Sequence, residues 1–123
     1  MRFALLIVFI LNSALGFSQE AEFKFKDKTH RFGKVQEGEV ISTTFYFTNI
    51  GDSPLLINDY EVACTCTVVI FPKEPILPGA TGKIEVSFDT TGKIGYQDRS
   101  ITLHSNSKNP RSKIRFTVNV KYD

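Results

Sequence analysis

The run KIRFTVNVK at residues 113–121 alternates without a break. Ile114, Phe116, Val118 and Val120 take one parity; Lys113, Arg115, Thr117, Asn119 and Lys121 take the other. A period of two puts the first set on one face of an extended chain and the second on the opposite face. The run therefore specifies a strand with one side in a core and one in solvent. A helix would scatter both sets around its circumference.

The same period recurs along the chain. Ile41, Thr43, Phe45 and Phe47 share a face, with Ser42, Thr44 and Thr48 opposite. Ile84, Val86 and Phe88 point inward against Lys83, Glu85 and Ser87, and Ile101 and Leu103 repeat the pattern. Phe23 and Phe25 alternate with Lys24 and Lys26, and Phe32 and Val35 lead to a turn at Gly38. Residues 55–62 read as an extended run into the cysteines, and 68–71 as a short apolar run stopped by Pro72.

Turn signals separate these runs. Asn49, Gly51 and Asp52 close one strand, the glycine being free to take left-handed angles and the polar side chains able to bond nearby amides. Pro78 and Gly79 stand at the centre of a tight turn. About seven strands spaced this way predict an all-β fold, an immunoglobulin-like β-sandwich. The chain has 11 Phe and no Trp, so phenylalanine must fill the space between the sheets. Phe45, Phe47, Phe88 and Phe116 are expected at its centre, each worth roughly 1.5–3 kcal/mol when buried.

Residues 1–18 read differently. Arg2 precedes an unbroken apolar run at 3–11, and small residues at Gly16 and Ser18 suit a peptidase cut before Gln19. We expect a signal peptide at 1–18 and one domain at 19–123. The apolar run is shorter than the ~20 residues that span a bilayer. No later segment is apolar for that length, so no integral membrane segment is expected after signal removal. Such a chain would be periplasmic, held in the cell envelope or secreted. The formal net charge is only +2, and Arg2 leaves with the leader, so nucleic-acid binding is not indicated.

An exported chain meets oxidising conditions, which brings the stretch ACTCT into question. Cys64 and Cys66 are the only cysteines. Two residues apart on a strand they would face the same way about 6.5 Å apart. Their thiolates could converge on a soft ion such as Cu(I), which accepts few sulfur ligands. Zinc would need about four ligands, with only His30 and His104 left to recruit, neither at ligand spacing. His104 reads as an exposed strand residue and His30 as a loop or strand-end residue.

A disulfide is the other possibility. Bridged Cα atoms lie about 4.4–6.8 Å apart, so the segment would have to bend to close. So small a ring stabilises little, and a strained, exposed bridge exchanges readily with other thiols. No neighbouring His or Lys in sequence, and no following helix start, would lower a thiol pKa. β-branched Thr65 disfavours a left-handed turn residue, so the sequence predicts an extended pair at a strand end.

Conventional catalysis finds no foothold. There is no Ser-His-acid signature, no metal-hydrolase spacing and no phosphate loop, so neither enzymatic activity nor a cofactor is expected. Glu37 and Glu39 read as solvated loop charges. The outward cations Lys24, Lys26, Lys113, Arg115 and Lys121 suit anionic glycans or lipids, or simply keep strands from pairing with other chains.

In order, FGKVQEGE, FYFTNIGDSPLLI, ACTCT, PKEPILPGATGKIEVSFDTTGKIG and ITLHSN resemble the DUF1573 family of exported bacterial proteins, relatives of the ASH and MSP-type immunoglobulin-like domains. The resemblance runs from about Phe32 to Val120. It implies a small seven-stranded sandwich in the envelope with no established biochemical activity. In that family the cysteine motif usually has glycine where this chain has Thr65.

The expectation is thus a non-enzymatic exported module. It would bind an unidentified envelope protein or act as a structural accessory, through its loops or by strand addition at an exposed edge. The alternative is a Cu(I)-binding or thiol-redox protein using Cys64 and Cys66.

Overall fold

The strictest alternation in the sequence becomes a strand at the heart of one sheet. In the computed structural model, which describes residues 20–122, β8 (Arg111–Lys121) turns Ile114, Phe116, Val118 and Val120 into the core, none more than 2% exposed. The expected leader lies outside the described residues. The preceding strands are β1 (Phe23–Phe25), β2 (Thr29–Gln36), β3 (Val40–Asn49), β4 (Ile57–Glu61), β5 (Thr67–Ile70), β6 (Thr81–Asp89) and β7 (Gly95–Ser105).

They form two four-stranded sheets, β1-β3-β6-β5 and β2-β8-β7-β4. Among the described residues there is no helix, and so none long and apolar enough to cross a membrane. The early stretch contributes two strands to different sheets: β1 runs antiparallel to β3, whereas β2 runs parallel to β8. All other strand pairs are antiparallel.

Phenylalanine fills the interior as expected. Phe45, Phe47, Phe88 and Phe116 are all buried. Phe88 and Phe116, from opposite sheets, meet with ring centroids 5.1 Å apart. Phe23 and Phe25 stack on each other and close over Phe47, at 5.0 and 5.9 Å. Such ring pairs add about 0.5–1.5 kcal/mol beyond the area they bury.

The run expected at 55–62 is divided. Leu55 forms a separate two-bond bridge with Ile76, and only Ile57–Glu61 joins the second sheet. Pro78 and Gly79 form the tight turn foreseen: Ala80 N–H donates to Leu77 O at 2.9 Å, and Gly79 takes φ 83°.

The end of β3 is more elaborate than a turn. Asn49 keeps the inward parity of Phe45 and Phe47 and is fully buried. Its Nδ2 donates to Ser53 O at 2.8 Å and Ile76 O at 2.9 Å. Its Oδ1 accepts from Gly51 N at 3.0 Å and Glu22 N at 3.2 Å. Every hydrogen-bonding site of this amide is therefore used, which is what makes its burial affordable. Gly51, by contrast, does not take a left-handed angle. A Cβ there would run into the Glu20 carbonyl oxygen and lie 2.8 Å from Ala21 backbone carbon. Space, not torsional freedom, dictates glycine.

Candidate functional site

The chain leaves β4 in the second sheet and enters β5 in the first, and ACTCT makes this crossing. Val62 and Cys66 pack against the core at one end of the sandwich. Cys64 and Cys66 are joined by a disulfide, their Cα atoms 5.3 Å apart. The expected extended pair is thus corrected. Thr67 N–H reaches back to Cys64 O at 3.2 Å, closing a turn over 64–67. Among the described residues only glycines have positive φ, so Thr65 turns the chain without the angle its side chain resists.

Further bonds fix the turn. Cys66 N–H donates to Cys64 Sγ at 3.1 Å, and Cys66 O accepts from Asp89 N at 3.0 Å. Cys66 thereby ties the crossing to the end of β6, while Thr65 stays exposed at the tip. The bridge sits immediately before Thr67, the first residue of β5.

The histidines lie elsewhere. His30 lies on β2, paired with Phe116 of β8, at the opposite edge of the second sheet from β4. Three strand spacings separate those edges, about 14 Å. His104 is half-buried rather than exposed, its Nε2 3.1 Å from Glu61 Oε1, and Glu61 also takes Arg111 at 2.8 Å. Among the described residues no group of three or more His, Cys, Asp or Glu converges. While bridged, Cys64 and Cys66 have no thiolate to offer Cu(I).

β5 ends the first sheet, and among the described residues its free edge faces no other strand. Edge strands are usually protected by charge, irregularity or brevity. β1 carries Lys24; β2 carries Arg31 and Lys34 and a break in register; β4 carries Asp59 and Glu61 and another break. β5 reads Thr-Val-Val-Ile, pairs with β6 without a break, and has no charge. Val68 and Ile70 point outward, 52% and 60% exposed. The sequence showed an apolar run there, but only the sheet order reveals that one side of it is open.

A bridge closing so small a ring removes little freedom from the unfolded chain, at most ~1.5 kcal/mol by the chain-entropy model. Replacing both cysteines with serine is expected to lower stability by no more than that in denaturant titration. The larger change should be local: faster hydrogen exchange at the amides of Thr67 and Asp89, which bond within the turn. A global loss several times greater would mean that the bridge holds the core itself.

Comparisons place this architecture. A family model described as "Protein of unknown function (DUF1573)" matches residues 23–120. No curated protein matches the sequence. Among solved structures, a protein of unknown function from Porphyromonas gingivalis W83 superposes with a TM-score of 0.73 at 16% identity, over 87% of this chain. The chain spans 50% of that protein's length. The seventh ASH/PapD-like domain of human CEP192 gives 0.59 at 10% identity, covering 85% of this chain and 87% of that one. The MSP family member WR4 of C. elegans gives 0.52 at 10% identity, covering 81% and 98%. At such identities the likeness is one of fold: an immunoglobulin-like sandwich of the ASH and MSP type. With a family match over most of its length, the chain belongs to the DUF1573 family.

Proposed function

We propose that the protein is a non-enzymatic, exported binding module that captures an extended segment of a cell-envelope protein along β5. The observation that carries this reading is the uncharged, regular β5 edge with Val68 and Ile70 exposed beside it. An added strand would take its affinity from main-chain hydrogen bonds and its specificity from side chains at alternate positions. Val68 lies across from Ser87, and Ile70 from Glu85. The fitting partner is therefore an extended peptide with apolar residues on one parity, packing beside Val68 and Ile70.

The Cys64–Cys66 bridge has a place in this scheme. By fixing the turn that feeds Thr67, it holds β5 extended before a partner arrives, lowering the ordering cost of binding. The export of the chain rests on its leader-like residues 1–18 and on the use of a disulfide.

Replacing Val68 and Ile70 together with lysine tests the reading. Both side chains are solvent-facing, so the melting temperature should hardly move. Capture of a partner from envelope extracts should fall about tenfold or more, as charge at an edge opposes pairing. Undiminished capture by the variant, or no reproducible partner for the parent, would overturn it.

A further inference from the structure

The outer face of the second sheet, away from β5, carries an arrangement of a different kind. Arg31 and Lys34 differ in parity, and a regular strand would send them to opposite faces. β2 breaks register with β8 between them: Arg31 pairs with Thr117 and Lys34 with Asn119, three steps against two. Gly33 takes φ 76° at this bulge. The extra residue rotates the strand, so both cations reach the solvent face.

Across β8 the pairing continues into β7. Lys34, Asn119 and Tyr96 stand in one row, and Arg31, Thr117 and Asp98 in the next. Arg31, Lys34, Tyr96, Thr117 and Asn119 line a shallow depression of about 270 Å³. Tyr96 is 66% exposed at its rim.

The charge of this depression is one-sided. Asp98 is engaged by Arg115, whose Nε lies 2.8 Å from Asp98 Oδ1. That carboxylate, and after it the Tyr96 hydroxyl, keep Arg115 charged even more firmly than usual. Neither Arg31 nor Lys34 pairs with a carboxylate among the described residues.

We propose that this depression binds an acidic saccharide. Arg31 and Lys34 receive its anionic group, the guanidinium fork matching a carboxylate. The exposed Tyr96 ring, with its negative π face, takes the apolar C–H face of a sugar ring. Asn119, exposed beside the buried Thr117, supplies a donor and an acceptor for hydroxyls. Two cations without a carboxylate partner among the described residues, an aromatic platform and the Asn119 amide within one depression suit a sugar acid better than a chain of acids alone, which would leave the ring and the amide unused.

Titration of the purified protein with oligogalacturonate, followed by amide NMR, tests this. Expected are shifts at Gly33, Tyr96 and Asn119 and binding that weakens with salt. Arg31→Gln and Lys34→Gln should each weaken it about tenfold, and Tyr96→Ala by a similar factor, without a change in melting temperature. A neutral galactose oligomer should not bind. The proposal fails if oligogalacturonate causes no shifts at these amides, or if the Arg31 and Lys34 variants bind it as well as the parent. It also fails if the neutral oligomer binds equally. Tighter binding to a polyglutamate peptide or to phosphatidylglycerol vesicles than to the oligosaccharide would overturn the ligand class.

Discussion

Asn49→Asp is expected to cost about 4 kcal/mol at neutral pH, a large part of the roughly 5–15 kcal/mol by which such domains are stable. The change is nearly isosteric, so packing is preserved and the loss is electrostatic. Nδ2 donates to two carbonyls, Ser53 O and Ile76 O. A carboxylate puts an acceptor against them in a place with no solvent exposure. Leaving buried partners unsatisfied costs about 1–3 kcal/mol each, and burying an uncompensated charge adds to that. The two amides facing Oδ1, Gly51 N and Glu22 N, would soften the penalty without removing it.

The variant also carries a pH signature. Burial and the facing carbonyls should raise the new carboxyl above its unfolded value of about 3.9. The folded state then binds more protons than the unfolded state, so stability falls as pH rises through that window. The deficit of Asn49→Asp relative to the parent should therefore shrink at acid pH. Asn49→Ala, which leaves the same carbonyls unsatisfied with no titrating group, should show a deficit that stays constant. Urea titrations across pH decide it. A cost below about 1 kcal/mol would mean that water replaces the amide.

Asn49 also shows what the sequence revealed and what it concealed. Parity placed Phe45 and Phe47 inward, and the same parity includes Asn49, yet the Asn-Ile-Gly-Asp context reads as an exposed turn. Its partners Glu22 and Ile76 are each 27 residues away in sequence, beyond any local signal. Strand faces were legible wherever alternation was strict, as at Phe88 and along β8, because burial on one face imposes the period directly. The parallel pairing of β2 was not legible, since nothing local to residues 29–36 records which strand lies beside them. With it the bulge at Gly33 was hidden, and so was the meeting of Arg31 and Lys34 on one face. The cysteines were legible as a pair, but Thr65 pointed to an extended conformation that the bridge and the Thr67 amide override. The openness of β5 is likewise a property of sheet order, which the residues 67–70 do not encode by themselves.

Gly51→Ala is expected to cost about 3 kcal/mol, more than Gly33→Ala, although Gly33 has the positive φ. At Gly33 a methyl group would meet nothing within 4 Å, and only the left-handed torsion is penalised, by about 1–2 kcal/mol. At Gly51 the methyl group meets the backbone of Glu20 and Ala21, which no side-chain rotation can relieve. Residues 20–22 must then lift away. They hold both sheets together at this end: Asp52 N donates to Glu20 O, Ile50 N to Glu22 O and Lys108 N to Ala21 O. At about 1 kcal/mol net per hydrogen bond, losing these three accounts for the expected cost. The buried Ala21 methyl adds a little more. Hydrogen exchange separates this from general loosening: the amides of Ile50, Asp52 and Lys108 should lose protection together, while those of β8 keep theirs relative to global stability. If the 50–53 loop shifts instead and Lys108 stays protected, residues 20–22 are not the clasp that joins the two loops.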